Sequence, residues 1–405
     1  MKMRTAILSA VLTLYSTLVH AELIVSSNDG HQPPEPGQSP NRVPDSIAII
    51  NFSNSGTLKV LGSVTAPASV LGPPTAIFVA PNEKWAVATA GSKPDPSDQA
   101  KTAPDDVISV LDISAPTRPR VIQTLHAGMG VSSIAVNRTQ TLALTTDTND
   151  DTVSIFTISG NHLTPTGKLQ LEKGSRPWCI TFMPDGKSAL LSARGGAGMQ
   201  RLNVAGTTVT NAGPIAPIWS SMAISSPDGK FIIANGTPLA AEPSTAAPAV
   251  VAAPGGTAPS GRGGGARGVP QASVLDAASG AVLSKAPIGA GTEFIGFSQD
   301  AAYLVATITN GSHSASTAPD FSDFGLLYVF KVSGSMLKKV AEAHTGHWCQ
   351  GALFSKDDRT VLVQCSVERE IEVFRFDGNT SLTRDDAATL KFDAAPASMA
   401  TASSR

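Results

Sequence analysis

Four side chains in this sequence are of types that do chemistry and stand at comparable points of a repeating pattern: Arg176, Arg194, Glu293 and His347. Arg176 in RPWCITF and Arg194 in LSARGG flank one strand pair, and two guanidinium forks together suit a carboxylate or phosphate. Glu293 in GTEFIGF and His347 in GHWCQG each open a segment of the same kind. A carboxylate beside an imidazole can tune a general base that activates water near neutral pH. The four are therefore the expected catalytic groups of a site for a small anionic molecule. Each also has a plainer use, because Arg and Glu at strand starts are commonly solvated or paired between neighbouring elements.

The elements that must position these residues are visible in the punctuation. RPWCITFMPDGKSALLSA from Arg176 and WSSMAISSPDGKFIIANG from Trp219 share a PDGK turn with apolar alternation on either side. Pro presets φ, Asp bonds its own backbone and Gly accepts positive φ, so each copy is a strand, a tight turn and a second strand. Looser copies start at Pro73, Gly130, Gly291 and Trp348. Each is followed by a third strand, such as TVSIFTIS or EIEVFRFDG, and a shorter fourth, such as MLKKVAEA. A repeat of about 40 to 50 residues made of four strands reads as a β-propeller.

The two ends supply one more unit. ELIVSSN from Glu22, SIAIINFS from Ser46 and TLKVLGSV from Thr57 match the second, third and fourth strands, and APASMATAS from Ala395 matches a first strand with nothing after it. The expected fold is all-β: a seven-bladed propeller of four-stranded blades, its ring closed by a C-terminal first strand that completes an N-terminal three-strand blade. Closure of this kind removes exposed sheet edges.

The repeat LALTTDTNDDTVSIFTIS, Leu142 to Ser159, resembles the YVTN-type propeller repeat. Over nearly all of residues 22–405 the chain is similar to secreted seven-bladed propellers of the lactonase-like group, which includes phosphogluconolactonase-like and carboxymuconate-cyclase-like enzymes. The resemblance implies hydrolysis or formation of a lactone but carries no catalytic residue of the family onto this chain; by residue type alone, the His347 and Glu293 pair would activate water in such a reaction and the arginines would stabilise the oxyanion. Its motifs specify blades and not chemistry, so a non-catalytic propeller that binds a protein partner or a cell-surface polymer stands as the alternative.

Other features bound the reading. The start MKMRTAILSAVLTLYSTLVHAEL has the charged, apolar and small-residue zones of a secretory signal cleaved after Ala21, so residues 22–405 are expected as one secreted or periplasmic propeller. A formal net charge of −2 and the lack of a Lys/Arg stripe argue against nucleic acid as a partner. A monomer with a lactone or carboxylate ligand is expected, without a membrane span after signal cleavage, cofactor or metal. DTNDD, with Asp147, Asn149, Asp150 and Asp151, reads as a turn rather than a calcium loop. Trp178, Trp219 and Trp348 read as packing between blades rather than a stacking platform, and His126 and His344 as surface residues.

Cys349 and Cys365 flank the hairpin CQGALFSKDDRTVLVQC. In a regular ladder closed by the Ser355 to Thr360 turn they fall on opposite faces, which argues against a bond, although a bulge would restore it. The stretch from Thr237 to Pro270, rich in Ala, Pro and Gly, separates a second from a third strand and reads as an insertion in one blade. Long stretches at the same point in three other blades, from Asn28, Gly91 and Asn310, would join it as a canopy over one channel mouth.

Overall fold

The repeat turn recurs in every hairpin where the sequence shows a copy. In the two PDGK turns, Gly186 and Gly229 take φ of 66° and 72°. In the looser copies Glu83, Gln140, Ala301 and Asp358 occupy the same position with φ between 53° and 57°. Glycine reaches this region freely and other residues at a cost, so the turn geometry outlasts the motif that announces it. Lys187 N–H donates to Asp185 Oδ1 at 2.9 Å, the self-bonding that makes Asp a turn residue.

The computed structural model of the chain describes residues 22–32, 42–53, 56–238 and 270–402. Seven antiparallel sheets succeed one another, each built on four strands that run in sequential order in every blade but the first. Blade 1 is ordered Ala395–Thr401, Glu22–Asp29, Ser46–Phe52, Leu58–Thr65, so the C-terminal strand closes the ring beside the N-terminal three. Blade 2 runs from Ile77–Val79 to Arg120–His126, blade 3 from Val131–Val136 to His162–Gln170 and blade 5 from Ile218–Ser225 to Val282–Pro287. Blade 4 begins with Pro177–Phe182 and Ser188–Ala193, and blade 6 with Thr292–Phe297 and Tyr303–Ile308. Blade 7 comprises Cys349–Phe354, Thr360–Cys365, Glu370–Phe376 and Leu382–Arg384, with Leu390–Lys391 paired to its third strand. This is the architecture the sequence predicts.

Burial follows from the layering. Second strands such as SALLSA and TVLVQC are buried along their whole length because a blade lies against each face. Fourth strands such as HLTPTGKLQ are exposed at most positions, since they form the outer rim. The core is a series of apolar layers between blades. One contains Ile224 and Ile233 of blade 5 with Ile295, Leu304 and Phe330 of blade 6.

The expected signal, residues 1–21, lies outside the described residues, as does most of the expected insertion. The strands on either side of that insertion, Phe231–Pro238 and Gln271–Asp276, pair with each other in blade 5. Among the described residues no helix is long and apolar enough to cross a membrane.

In six blades the ladder between first and second strands shifts register close to the mouth end of the first strand or, in blade 1, of its partner. In blade 7 the shift falls between Cys349 and Ala352; it puts Cys349 opposite Cys365, and the two are bonded. The face argument from a regular ladder therefore fails here, because a bulge inserts a residue and re-aims the side chains before it.

Candidate active site

An antiparallel four-strand blade brings the start of its first strand and the loop between its second and third strands to the same face. All four expected site residues are at such points. Trp178 belongs to the first strand of blade 4, and Arg194 follows the second. The Arg194 guanidinium carbon lies 3.4 Å from the centroid of the Trp178 ring. Arg194 Nη2 is 3.7 Å from Glu293 Oε2, with side-chain exposures of 38% and 16%. Glu293 is on the first strand of blade 6, so the pair spans blade 5. Blades that are not neighbours approach only where they converge on the ring axis, and the pair therefore lies at the channel mouth.

Arg176 contributes through its backbone. It has φ of 48°, its N–H donates to Asp151 Oδ1 at 2.8 Å, and its carbonyl accepts from Arg194 N–H at 3.1 Å. Its side chain is exposed, and among the described residues no hydrogen bond or ion pair involves its guanidinium. The chain thus places the two arginines side by side without joining their side chains around a common point. Asp151 also accepts Gly174 N–H at 2.7 Å, and Asp150 accepts Met129 N–H at 2.9 Å, so these carboxylates of DTNDD are used by the turn. Buried Asp147 accepts hydroxyl protons from Thr145, Thr152 and Ser154; burial pushes its carboxyl up, against those bonds.

His347 precedes the first strand of blade 7. The carboxylate against its imidazole is Glu368, from the turn after the second strand of its own blade, and not Glu293. Nδ1 lies 2.6 Å from Glu368 Oε1, and the His347 backbone N–H donates to both Glu368 oxygens at 3.0 and 2.9 Å. Glu368 can fold back this far because residue 346 is Gly; a Cβ there would sit 2.5 Å from Glu368 Oε2. On the other side Nε2 is 3.2 Å from Asp323 Oδ1, and the Phe321 ring stacks at 6.2 Å. Burial pushes the imidazole pKa down, but Glu368 and then Asp323 outweigh it and hold it above 6.5. This favours an imidazolium near neutral pH, which suits a proton donor better than the expected base.

Asp323 and Phe321 come from the stretch after Asn310, one of the four expected canopy segments, and Ser312 Oγ accepts Trp348 N–H at 3.0 Å. That segment is therefore folded against His347. The segment from Gly91 is instead an extension of a strand pair, Trp85–Asp95 with Asp98–Asp112.

Two clusters were not legible in the sequence. His31 Nδ1 lies 3.0 Å from Asp29 and 2.9 Å from Asp45. Burial lowers its pKa, but the two carboxylates raise it to about 10. The same carboxylates accept the N–H groups of His31, Val70, Gly30 and Ala68, tying the connection between blades 1 and 2 to the mouth end of blade 1. In blade 7, Arg384 meets Glu370 at 3.0 Å and Glu372 at 2.7 Å, while Glu372 accepts Gly346 N–H at 2.9 Å. Burial pushes the Glu372 carboxyl up to about 7, against Arg384 and the Gly346 N–H. An Asx-like spacing at Asp29 and His31 and the alternation of Glu370 and Glu372 were the only local signals. Neither says that its partners are brought in from a distant segment.

The chain has the seven-bladed β-propeller fold. It is similar to the structure of a candidate 6-phosphogluconolactonase from Bacteroides fragilis at 15% identity, a TM-score of 0.66 and coverage of 94% of this chain and 98% of that one. A second candidate 6-phosphogluconolactonase, from Bacteroides uniformis, matches at 16% identity, a TM-score of 0.67 and coverage of 94% and 100%. The periplasmic gluconolactonase of Pseudomonas aeruginosa matches at 12% identity, a TM-score of 0.63 and coverage of 94% and 99%. No protein-family model matches the chain. No curated protein sequence matches it either.

Proposed function

We propose that the chain is a secreted or periplasmic enzyme that opens or forms a lactone ring on a small anionic substrate. The observation that carries this reading is the approach of Arg194 to Glu293 across blade 5, with Trp178 beneath the guanidinium. It sets a fixed cation and a carboxylate at one channel mouth, where water is partly excluded and charge stabilisation is strong. In the hydrolytic direction Glu293 takes a proton from water, whose oxygen attacks the lactone carbonyl. Arg194 stabilises the oxyanion, the ring C–O bond breaks, and the imidazolium of His347 protonates the leaving alkoxide. Arg176, exposed beside this site, meets the substrate's carboxylate or phosphate. The structures of similar fold named as gluconolactonases support the substrate class.

The test is a pH-stat screen of the purified chain against aldonolactones, phosphorylated aldonolactones and muconolactones. Proton release above the spontaneous rate, lost in a Glu293→Gln variant, is expected. Rates equal to the spontaneous ones across the panel would overturn the proposal in favour of a binding propeller.

A further inference from the structure

We infer that the Cys349–Cys365 disulfide is a positioning cross-link that holds His347 against Glu368. The bond joins the mouth ends of the first two strands of blade 7, just after His347 and just before the turn that carries Glu368. Those flanks are not relaxed backbone. Trp348 sits between His347 and Cys349 with φ of 47°, and Arg369 follows Glu368 with φ of 56°. A bulky residue in this region is strained and persists only where its surroundings over-determine it. Ser366 supplies part of that constraint, its N–H and hydroxyl both donating to the Trp348 carbonyl at 3.4 and 2.8 Å. The disulfide supplies the rest, across a ladder that is already bulged at Cys349.

Bulges mark the mouth ends of five other blades, yet among the described residues only blade 7 is cross-linked there. It is also the blade whose first strand is preceded by a histidine. Both cysteines are 0% exposed, which shields the bond from solution thiols and makes it a staple rather than a redox switch. The charged groups around His347 are Glu368 on Nδ1 and Asp323 on Nε2, with Glu372 on the adjoining Gly346 N–H. Of these, Glu368 approaches at 2.6 Å, so small displacements there matter most.

The catalytic consequence rests on the proposed function, but the geometry can be tested without turnover. The measurement is the titration of His347 by NMR in the parent, in Cys349→Val/Cys365→Val and in Cys349→Ser/Cys365→Ser. The valine pair keeps apolar packing against Val305, Val361 and Val363, and the serine pair keeps the size of the side chains. Leu144→Ala, in blade 3, is the control for general loosening. Both cysteine double variants should move the His347 pKa down towards 6.5, and the control should not. An unchanged titration in either folded double variant, or an equal shift in the control, overturns the inference. A protein that hydrolyses no lactone but shows the shift would remove the proposed function and leave the cross-link's role standing.

Discussion

Arg194 and Glu293 belong to blades that are not neighbours, and their side chains still come within 3.7 Å. The distance is longer than a hydrogen bond, and the Arg194 guanidinium carbon lies 3.4 Å from the centroid of the Trp178 ring, which fixes the cation beside the carboxylate. Arg194→Ala should lower kcat/KM on an anionic lactone by about 10²- to 10³-fold, as loss of an oxyanion donor does. Glu293→Gln should lower kcat by about 10²- to 10⁴-fold with KM little changed, the signature of a lost general base. Steady-state kinetics on the best substrate of the pH-stat panel decide both, and a Glu293→Gln variant with parental kcat would remove Glu293 from the chemistry.

The blades were legible because their signals are local. PDGK at Pro184 and at Pro227, the alternation in TVSIFTIS and the lone first strand at Ala395 each report on a few adjacent residues, and the repeat aligns them. The pairing of side chains at the mouth was less legible, because it depends on bulges that the sequence does not punctuate. Cys349 and Cys365 illustrate this: their numbering is out of step with Ala352 and Val363 in the same hairpin, and one shift in the ladder makes them partners. The expectation for His347 failed for a related reason. Glu368 folds back within its own blade over Gly346 and takes the place beside the imidazole that the expectation gave to Glu293.

Deletion of residues 394–405 tests the ring closure. The strand Ala395–Thr401 is buried at every position and pairs with Glu22–Asp29, so its loss uncovers the edge of that strand and the apolar layers on both sides. An exposed edge of this kind promotes association between chains. The truncated chain should be aggregated or unfolded by size-exclusion chromatography and circular dichroism, and a monomer that melts like the parent would contradict the closure.

His31 is expected to stabilise blade 1 as an imidazolium shared by Asp29 and Asp45. Its folded pKa, about 10, lies above the ordinary 6.5, so its contribution is fully present below pH 6.5 and is lost as pH rises towards 10. His31→Gln leaves the two carboxylates facing each other around a buried position, and removing one partner of such a set costs about 3–5 kcal/mol. Urea midpoints for parent and variant should differ most near pH 6 and converge towards pH 10. A gap that stays constant with pH would mean that His31 acts by packing alone.

Glu372 carries the same pH sign as His31 in a lower window, but here it is the neutral form that the fold favours. Its folded pKa of about 7 exceeds the ordinary 4.5, so between these values the unfolded chain gives up the proton while the folded chain keeps it. Ionisation then favours unfolding, and this residue's share of stability falls as pH rises from 4.5 and levels off above 7. The size is on the order of a few kcal/mol, from about 1.4 kcal/mol per pKa unit. In Glu372→Gln the titration is gone, while an amide oxygen can still accept the Gly346 N–H that Glu372 Oε1 accepts in the parent at 2.9 Å. The loss is the charge opposite Arg384, which keeps Glu370 and Asp386 as partners. The variant should therefore gain stability relative to the parent across pH 4.5 to 7, measured by denaturant midpoints, and should retain the His347 to Glu368 contact. Parallel curves over that range would mean that Arg384 keeps Glu372 ionised throughout and that the buried pair compensates its own burial.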